Sequence, residues 1–372
     1  MEKNKVLEVC SYYMGTKLYE NLFQKLDEKG LDHDILYYCA RETKLPPMPD
    51  NFIVSQPYKW SDRFIFSLKH KKVYRDVKEN IDVNRYYLTH AHSLVSNGYI
   101  SYRLKQDFNI PYITAVRNTD LFTFFRVMPH LIFLGRKILN EASGVVFLSP
   151  AYRDLTIEKY VAGEDQQKVY EKSIIIPNGI DDYYFEDPIE NSKEYHDPLR
   201  LVYVGRVDDP NKNVITIVRA CEILRKYGVK VELTLVGRMN IKIVQKYLEK
   251  KDYIRYEAIK DKSGVREILR DHDIFVMPSR RETFGLVYVE AMSQGLPVIY
   301  TKGQGFDGHF SEGEVGYRVV YNNAKEVAHR ILDIKKDYKD ISKRAFVNAR
   351  QFNWDDLSEE YVKIYKKIRN GE

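Results

Sequence analysis

Leu199-Arg-Leu-Val-Tyr-Val-Gly-Arg-Val-Asp-Asp-Pro-Asn-Lys-Asn213 reads as the start of a second structural unit within one chain. The run 199–204, apolar but for Arg200, has the length and β-branched content of a buried strand. Gly205 ends it, and a loop with two cations, Arg206 and Lys212, leads into a helix expected near 214–227. Just upstream, Pro177-Asn-Gly-Ile-Asp181 is followed by a polar, acidic stretch to Pro198, which reads as a linker near 180–198. Before that linker, strand-like runs at 6–10, 34–38, 86–89, 112–116, 144–148 and 173–176 alternate with helical stretches such as 17–29, 96–107 and 150–161. After it, strands are expected near 231–236, 253–256, 273–277 and 297–300, with helices near 264–270, 285–294 and 324–337. Such alternation builds parallel sheets from βαβ units. The chain is therefore read as α/β, with two Rossmann-like domains over 1–180 and 181–352. A last amphipathic segment, 353–372, carries Leu357, Tyr361, Ile364 and Tyr365 on one face. Two such domains set the carboxyl ends of two sheets on either side of a cleft, where open parallel sheets bind ligands.

Composition agrees with that size. The 372 residues are 44% hydrophobic and 30% charged, which excludes a disordered or collagen-like chain. Lys and Arg number 59 against 53 Asp and Glu, a net +6. That excess is too small to imply nucleic acid, and it suits an anionic ligand or membrane surface. Cys10, Cys39 and Cys221 form no C-x-x-C pair, so reduced, buried thiols in a cytoplasmic protein are expected rather than a disulfide or zinc site. The N-terminal residues run straight into a strand, so no targeting sequence is expected. The most apolar stretch, 121–139, contains Arg126, Pro129, His130, Arg136 and Lys137, which a bilayer core would penalise.

Two loops carry the candidate chemistry. In Pro278-Ser-Arg-Arg-Glu-Thr-Phe-Gly-Leu-Val-Tyr-Val-Glu290, a strand ends in a loop holding Glu282, and a helix starts near Gly285. Free N–H groups at that helix start suit a phosphate. Glu290 and Glu282 are placed to accept hydrogen bonds from sugar hydroxyls. Taken singly, each is an ordinary helix-start carboxylate favoured by the dipole; the loop, spacing and glycine together argue for a site. The loop after 199–204 adds Arg206, whose fork suits phosphate oxygens, and Lys212, a point charge.

The pairing of Gly205-Arg206 and Lys212-Asn213 with Glu282-x7-Glu290 and Gly295-x-Pro297 resembles retaining GT-B glycosyltransferases of family 4, the glycosyl transferases group 1. The resemblance covers nearly the whole chain. It implies that Arg206, Lys212 and Glu282 are catalytic: the two cations hold the diphosphate of a nucleotide-sugar donor, a UDP-sugar, and Glu282 holds the transferred sugar. It implies that Glu290 binds the ribose, that Phe284, Gly285 and Leu286 present backbone amides, and that Gly15 approaches the donor phosphate. It further implies a C-terminal helix around Trp354 crossing back to the N-terminal domain. Ala115-Val-Arg-Asn-Thr-Asp120 aligns with the family's acceptor-side segment, with Arg117 where relatives usually carry histidine. Arg117, Asn118, Asp120 and His92 are thereby expected on the acceptor side. His90 and His92, two residues apart at a strand end, are expected to point to opposite faces, one packing and one lining the cleft, and so to hold no metal.

No cofactor is expected. Asp32-His-Asp34 and Asp271-His-Asp273 have the D-x-D spacing of some metal sites, but both fall at strand entrances, away from the ligand end. From 58 to 78, Lys59, Arg63, Lys69, Lys71, Lys72, Arg75 and Lys78 interleave with Trp60, Phe64, Phe66 and Tyr74. As a helix this segment suits peripheral contact with an anionic membrane on its cytoplasmic face; the alternative is a solvated basic face whose aromatics fill the core. The resemblance implies a glycan or lipid-linked acceptor in cell-surface polysaccharide assembly. Two other readings share the fold: a sugar-nucleotide epimerase, needing no acceptor, and a non-catalytic glycan-binding partner subunit.

Overall fold

The computed structural model describes residues 4–188 and 194–371; residues 189–193 of the expected linker lie outside the described residues. The chain divides into two compact units. One comprises Met1–Leu148, Tyr152–Pro177 and Trp354–Glu372, and the other Ser149–Ala151 and Asn178–Asn353.

The first unit is a seven-stranded parallel sheet in the order β3-β2-β1-β4-β5-β6-β7. Its strands are β1 (Lys5–Val9), β2 (His33–Ala40), β3 (Phe52–Tyr58), β4 (Tyr86–Ala91), β5 (Tyr112–Ala115), β6 (Gly144–Phe147) and β7 (Ser173–Ile175). The second holds six parallel strands in the order β10-β9-β8-β11-β12-β13. These are β8 (Leu199–Val204), β9 (Val231–Val236), β10 (Ile254–Glu257), β11 (Ile274–Val276), β12 (Val298–Thr301) and β13 (Gly316–Val319). In each sheet the strand order reverses at one place, between β1 and β4 and between β8 and β11. The connections diverge there, and the carboxyl ends of those strands are where open α/β sheets take ligands.

β3 and β13 are absent from the sequence reading. β3 is an edge strand with Pro57 near its end, and proline at an edge loses no ladder bond. β13 has only four residues and begins at Gly316 with φ 148°, where a Cβ would meet the Val298 carbonyl at 1.9 Å.

The last helix, Trp354–Arg369, belongs to the first unit. Its Trp354, Leu357, Tyr361, Val362 and Tyr365 share a core with Tyr19, Leu22, Phe23 and Leu26 of helix Lys17–Glu28. Acidic residues in its first turn and basic ones in its last complement the helix dipole. Beneath it lies Glu8, in mid-strand and fully buried. The Glu8 carboxylate accepts from His92 Nε2 at 2.8 Å and from the Tyr365 hydroxyl at 2.9 Å. His90 Nδ1 is 3.1 Å from the same carboxylate and 2.6 Å from Tyr365. Burial alone would raise the Glu8 carboxyl, but the charge and hydrogen bonds of His90 and His92 hold it well below the carboxylate range.

The basic-aromatic segment splits in two. Helix Phe66–Asn80 buries Phe66, His70, Val73, Tyr74 and Val77. Trp60, Phe64, Ile65 and Leu68 remain exposed. Of the two alternatives, Phe66 and Tyr74 follow the one in which the aromatics fill the core, while Trp60 and Phe64 face outward. The five-residue 3₁₀ turn Trp60–Phe64 breaks the helical phase between the two groups.

Two measurements test this packing. Burial, then the charge of Lys69, depresses His70 to about 3. Because the unfolded imidazole titrates near its usual value, the unfolded state binds the extra proton, and stability falls as pH drops below about 6.5. At pH 5 the loss from this residue is about 2 kcal/mol. His70→Asn, which keeps a donor for the Phe66 carbonyl and cannot be protonated, flattens that part of the decline in urea titrations at pH 5 and 7. Tyr365→Phe removes a bond to a buried carboxylate and costs about 1–3 kcal/mol. Hydrogen exchange in Trp354–Arg369 accelerates in this variant; unaltered exchange contradicts the role given to the hydroxyl.

Candidate functional site

The two loops of the second unit leave adjacent strands, β8 and β11, at the reversal point. Gly205 adopts φ 153°, and the Tyr203 hydroxyl, which donates to the Arg206 carbonyl at 3.1 Å, occupies the space a Cβ would need. Asn213, at φ 58°, donates through Nδ2 to the Pro278 carbonyl at 3.0 Å, and Asn211 donates to the Arg281 carbonyl at 2.8 Å. The β8 loop is thus tied to the β11 loop. This brings Lys212 Nζ to 2.6 Å from Glu282 Oε2, with both side chains largely shielded. Arg206 is more exposed and pairs through Nε with Asp208 at 2.8 Å. Asp208 also accepts from the backbone of Asn240 and Ile241, which fixes its carboxylate.

Glu282 is clamped from a third loop, after β12. Its N–H donates to Gln304 Oε1 at 3.0 Å, and its carbonyl accepts from Gly305 N at 3.0 Å. A Cβ on Gly305 would lie 1.8 Å from the Thr283 carbonyl, so only glycine permits this approach. Gln304 and Gly305 were not singled out in the sequence; the available signal was the glycine pair 303 and 305 directly after a strand.

Phe284 is buried against Phe306, His309 and Phe352, so its ring anchors the loop. Gly285 takes φ 82°, and a Cβ there would strike the Tyr288 ring at 2.5 Å. The following helix, Leu286–Met292, is two turns long and shorter than the 285–294 expected. Glu290 lies in it, hydrogen-bonded with Tyr184 and close to Asp181, which is ion-paired with Lys262. Burial, against the Tyr184 hydrogen bond, raises Glu290 to about 7. Arg206, Lys212, Glu282 and Glu290 are therefore all held by this one unit, the first three at the β8 and β11 loops.

The first unit corrects several expectations. His90 and His92 do not diverge: their rings lie 4.0 Å apart, and both are buried. β4 ends at Ala91, so His92 lies beyond the pleat and strand alternation no longer governs it. A third group, Glu8, also faces them, and the three could bring ligand atoms within 4.8 Å of one another. One carboxylate and two imidazoles are a donor set zinc accepts, but here their facing atoms are already joined to one another and to Tyr365 by hydrogen bonds.

Arg117 is buried, and its Nε donates to the His92 carbonyl at 3.2 Å. Asp120 accepts from the N–H groups of Leu94, Val95 and Arg117 at 2.9–3.0 Å; burial, against those bonds, raises it to about 6. His92, Arg117 and Asp120 thus pack at the ends of β4 and β5, where Arg117 and Asp120 brace the backbone that follows β4. Asn118 is half-buried beside them. Gly15 lies in an exposed turn with open space around its Cα.

The second carboxylate of each D-x-D triplet holds structure together. Asp34, at the start of β2, accepts from Tyr86 at 2.6 Å and pairs with Lys5 and Arg85. Asp273, just before β11, accepts from Arg200 N at 2.7 Å and bonds His196. Among the described residues, no helix is long and apolar enough to cross a membrane.

Residues 185–352 match the family described as glycosyl transferases group 1. An uncharacterized glycosyltransferase of Methanocaldococcus jannaschii is 23% identical over 98% of this chain and 98% of its own. The N-acetyl-alpha-D-glucosaminyl L-malate synthase of Bacillus anthracis is 26% identical over 78% of this chain and 76% of its own. Among solved structures, the sucrose-phosphate synthase of Thermosynechococcus elongatus aligns with a TM-score of 0.75 at 19% identity, covering 99% of this chain and 100% of that one. Anabaena HepE, solved in complex with UDP, aligns at 0.69 and 16% identity over 98% and 100%. The chain is a glycosyltransferase with the GT-B fold, and its residues 185–352 form a domain of the group 1 family.

Proposed function

We propose that this chain is a retaining, metal-independent glycosyltransferase that moves a sugar from a UDP-sugar to a glycan or lipid-linked acceptor, as in cell-surface polysaccharide assembly. The donor is taken by the second unit and the acceptor by the first. The observation that carries this reading is the pair Lys212–Glu282, beside Arg206 at the carboxyl ends of β8 and β11. A cation and a carboxylate held in contact match the two halves of a sugar diphosphate: phosphate oxygens for one, sugar hydroxyls for the other. The UDP complex of a protein with this fold supports the choice of nucleotide.

When the donor enters, Lys212 exchanges Glu282 for the diphosphate, and Arg206 adds its terminal amino groups. Negative charge grows on the diphosphate as its bond to the anomeric carbon breaks. Fixed cations stabilise that charge more than they stabilise the bound donor, and the difference lowers the barrier. The acceptor oxygen bonds to the anomeric carbon on the face the diphosphate leaves, and its proton passes to the departing phosphate. Glu282 meanwhile accepts from hydroxyls of the transferred sugar. Glu290 accepts from the ribose diol, with Phe284, Gly285 and Leu286 offering backbone N–H groups nearby. Asp34 and Asp273 are occupied in structural contacts, so the two cations are assigned the neutralising role that a metal has elsewhere.

Exposed Trp60, Phe64, Ile65 and Leu68, with Lys59, Lys71 and Arg75 around them, suit peripheral contact with anionic lipid on the cytoplasmic side.

Two outcomes test the donor site. Lys212→Ala lowers the turnover of sugar transfer several hundred-fold, about 3–4 kcal/mol, while the thermal midpoint stays close to that of the parent. Near-parent turnover contradicts the diphosphate assignment. Glu290 is largely protonated below its raised value near 7, and a ribose diol that donates to the carboxylate favours the ionised form. UDP binding near pH 6.5 therefore releases a proton, measured by calorimetry in buffers of different ionisation enthalpy. Glu290→Gln abolishes the release; proton uptake in the parent protein rules the contact out.

A further inference from the structure

A cavity of about 370 Å³ opens in the first unit at the carboxyl ends of β1, β2 and β3. Its walls include Tyr12, Tyr38, Tyr58, Trp60, Arg63 and Lys69. Aromatic faces in a carbohydrate-handling protein are platforms for the C–H faces of sugar rings, and the hydroxyls at their edges serve ring substituents. The unusual feature is the charge.

Lys69 Nζ lies over the rings of Tyr38 and Tyr58, at 5.5 and 5.3 Å from their centroids. The Arg63 guanidinium lies 5.1 Å over Trp60. Neither cation has a carboxylate within ion-pair distance among the described residues. The same segment behaves differently outside the cavity: Lys72 pairs with Asp62 at 2.6 Å and Lys78 with Asp107 at 3.0 Å. Lys72 and Lys78 thus have acid partners, and the inward Lys69 has none among the described residues. Burial, and next the charge of Arg63, depresses Lys69 to about 8. An ammonium held in this way, with a second cation beside it, gains most from a ligand that brings a negative charge. Cation–π contacts lessen the cost of holding it there and leave it without a counter-ion.

We infer that this cavity is an acceptor subsite for an anionic sugar or polyol, whose ring stacks on the aromatic walls and whose phosphate or carboxylate is held between Lys69 and Arg63. The inference rests on the assignment of the acceptor to the first unit, and it names the acceptor's chemical class. The expected acceptor-side residues His92, Arg117 and Asp120 are buried, so the cavity supplies the open polar surface that they do not.

The test is calorimetric titration of the full chain with glucose 6-phosphate, glucuronate, glucose and inorganic phosphate. The two anionic sugars bind at least about tenfold more tightly than glucose or inorganic phosphate, and more weakly as salt rises. Lys69→Met and Arg63→Gln each weaken them by about tenfold or more, whereas Lys212→Ala leaves them unaltered. Arg63 is exposed, so Arg63→Gln decides the matter if Lys69→Met does not fold. Equal binding of glucose and glucose 6-phosphate overturns the inference. So does phosphate binding that matches the sugar phosphate, or dependence on Lys212 in place of Lys69. UDP is titrated into the same samples. Binding of UDP without the anionic sugars removes this inference and leaves the donor site standing; the reverse removes the donor site alone.

Discussion

The contact between Lys212 and Glu282 is the constraint from which the second unit's site follows. Opposite charges at 2.6 Å on two different loops need those loops fixed to a fraction of an ångström. The fold meets that need three times over. Asn211 and Asn213 bind the β8 loop to the β11 loop, and Gln304 with Gly305 grips Glu282 by its own backbone. The buried Phe284 ring holds the loop from below. In the proposed role, Lys212 is preorganised by the carboxylate that holds it, and exchanging that carboxylate for phosphate requires little motion.

The first unit is organised around a different buried charge. Glu8 lies mid-sheet and is tolerated because His90, His92 and Tyr365 meet it on its own terms. Since Tyr365 comes from the last helix, one carboxylate couples the first strand to the end of the chain. Arg117 packs beside this network, donating through Nε to the His92 carbonyl. The acceptor subsite we infer is the aromatic, cationic cavity at the carboxyl ends of β1–β3.

Much of this was legible in the amino-acid order. Strands such as Leu199–Val204 and Val231–Val236 are largely apolar, β-branched runs between turn signals, interrupted only by Arg200, Glu232 and Thr234, and buried parallel strands leave that mark plainly. Arg206, Lys212, Glu282 and Glu290 were singled out as candidates because they stand in loops after strands and in the helix that follows, in a pairing that resembles a known family. What escaped lacked a local signal. β3 is an edge strand carrying a proline, and β13 is a short edge strand that begins at a glycine. The convergence of His90 and His92 on Glu8 depends on the register of β1 against β4 and on where β4 ends, and no spacing rule contains either. Lys69 looked like one cation among seven; only the fold shows that it turns inward while Lys72 and Lys78 find acids outside.

The most direct measurement is a crystal structure of the chain with an uncleavable UDP-sugar. The account predicts Lys212 Nζ and the Arg206 guanidinium within hydrogen-bond distance of the diphosphate, with Glu282 released to the sugar. A diphosphate bound elsewhere, with Lys212 still on Glu282, would contradict it.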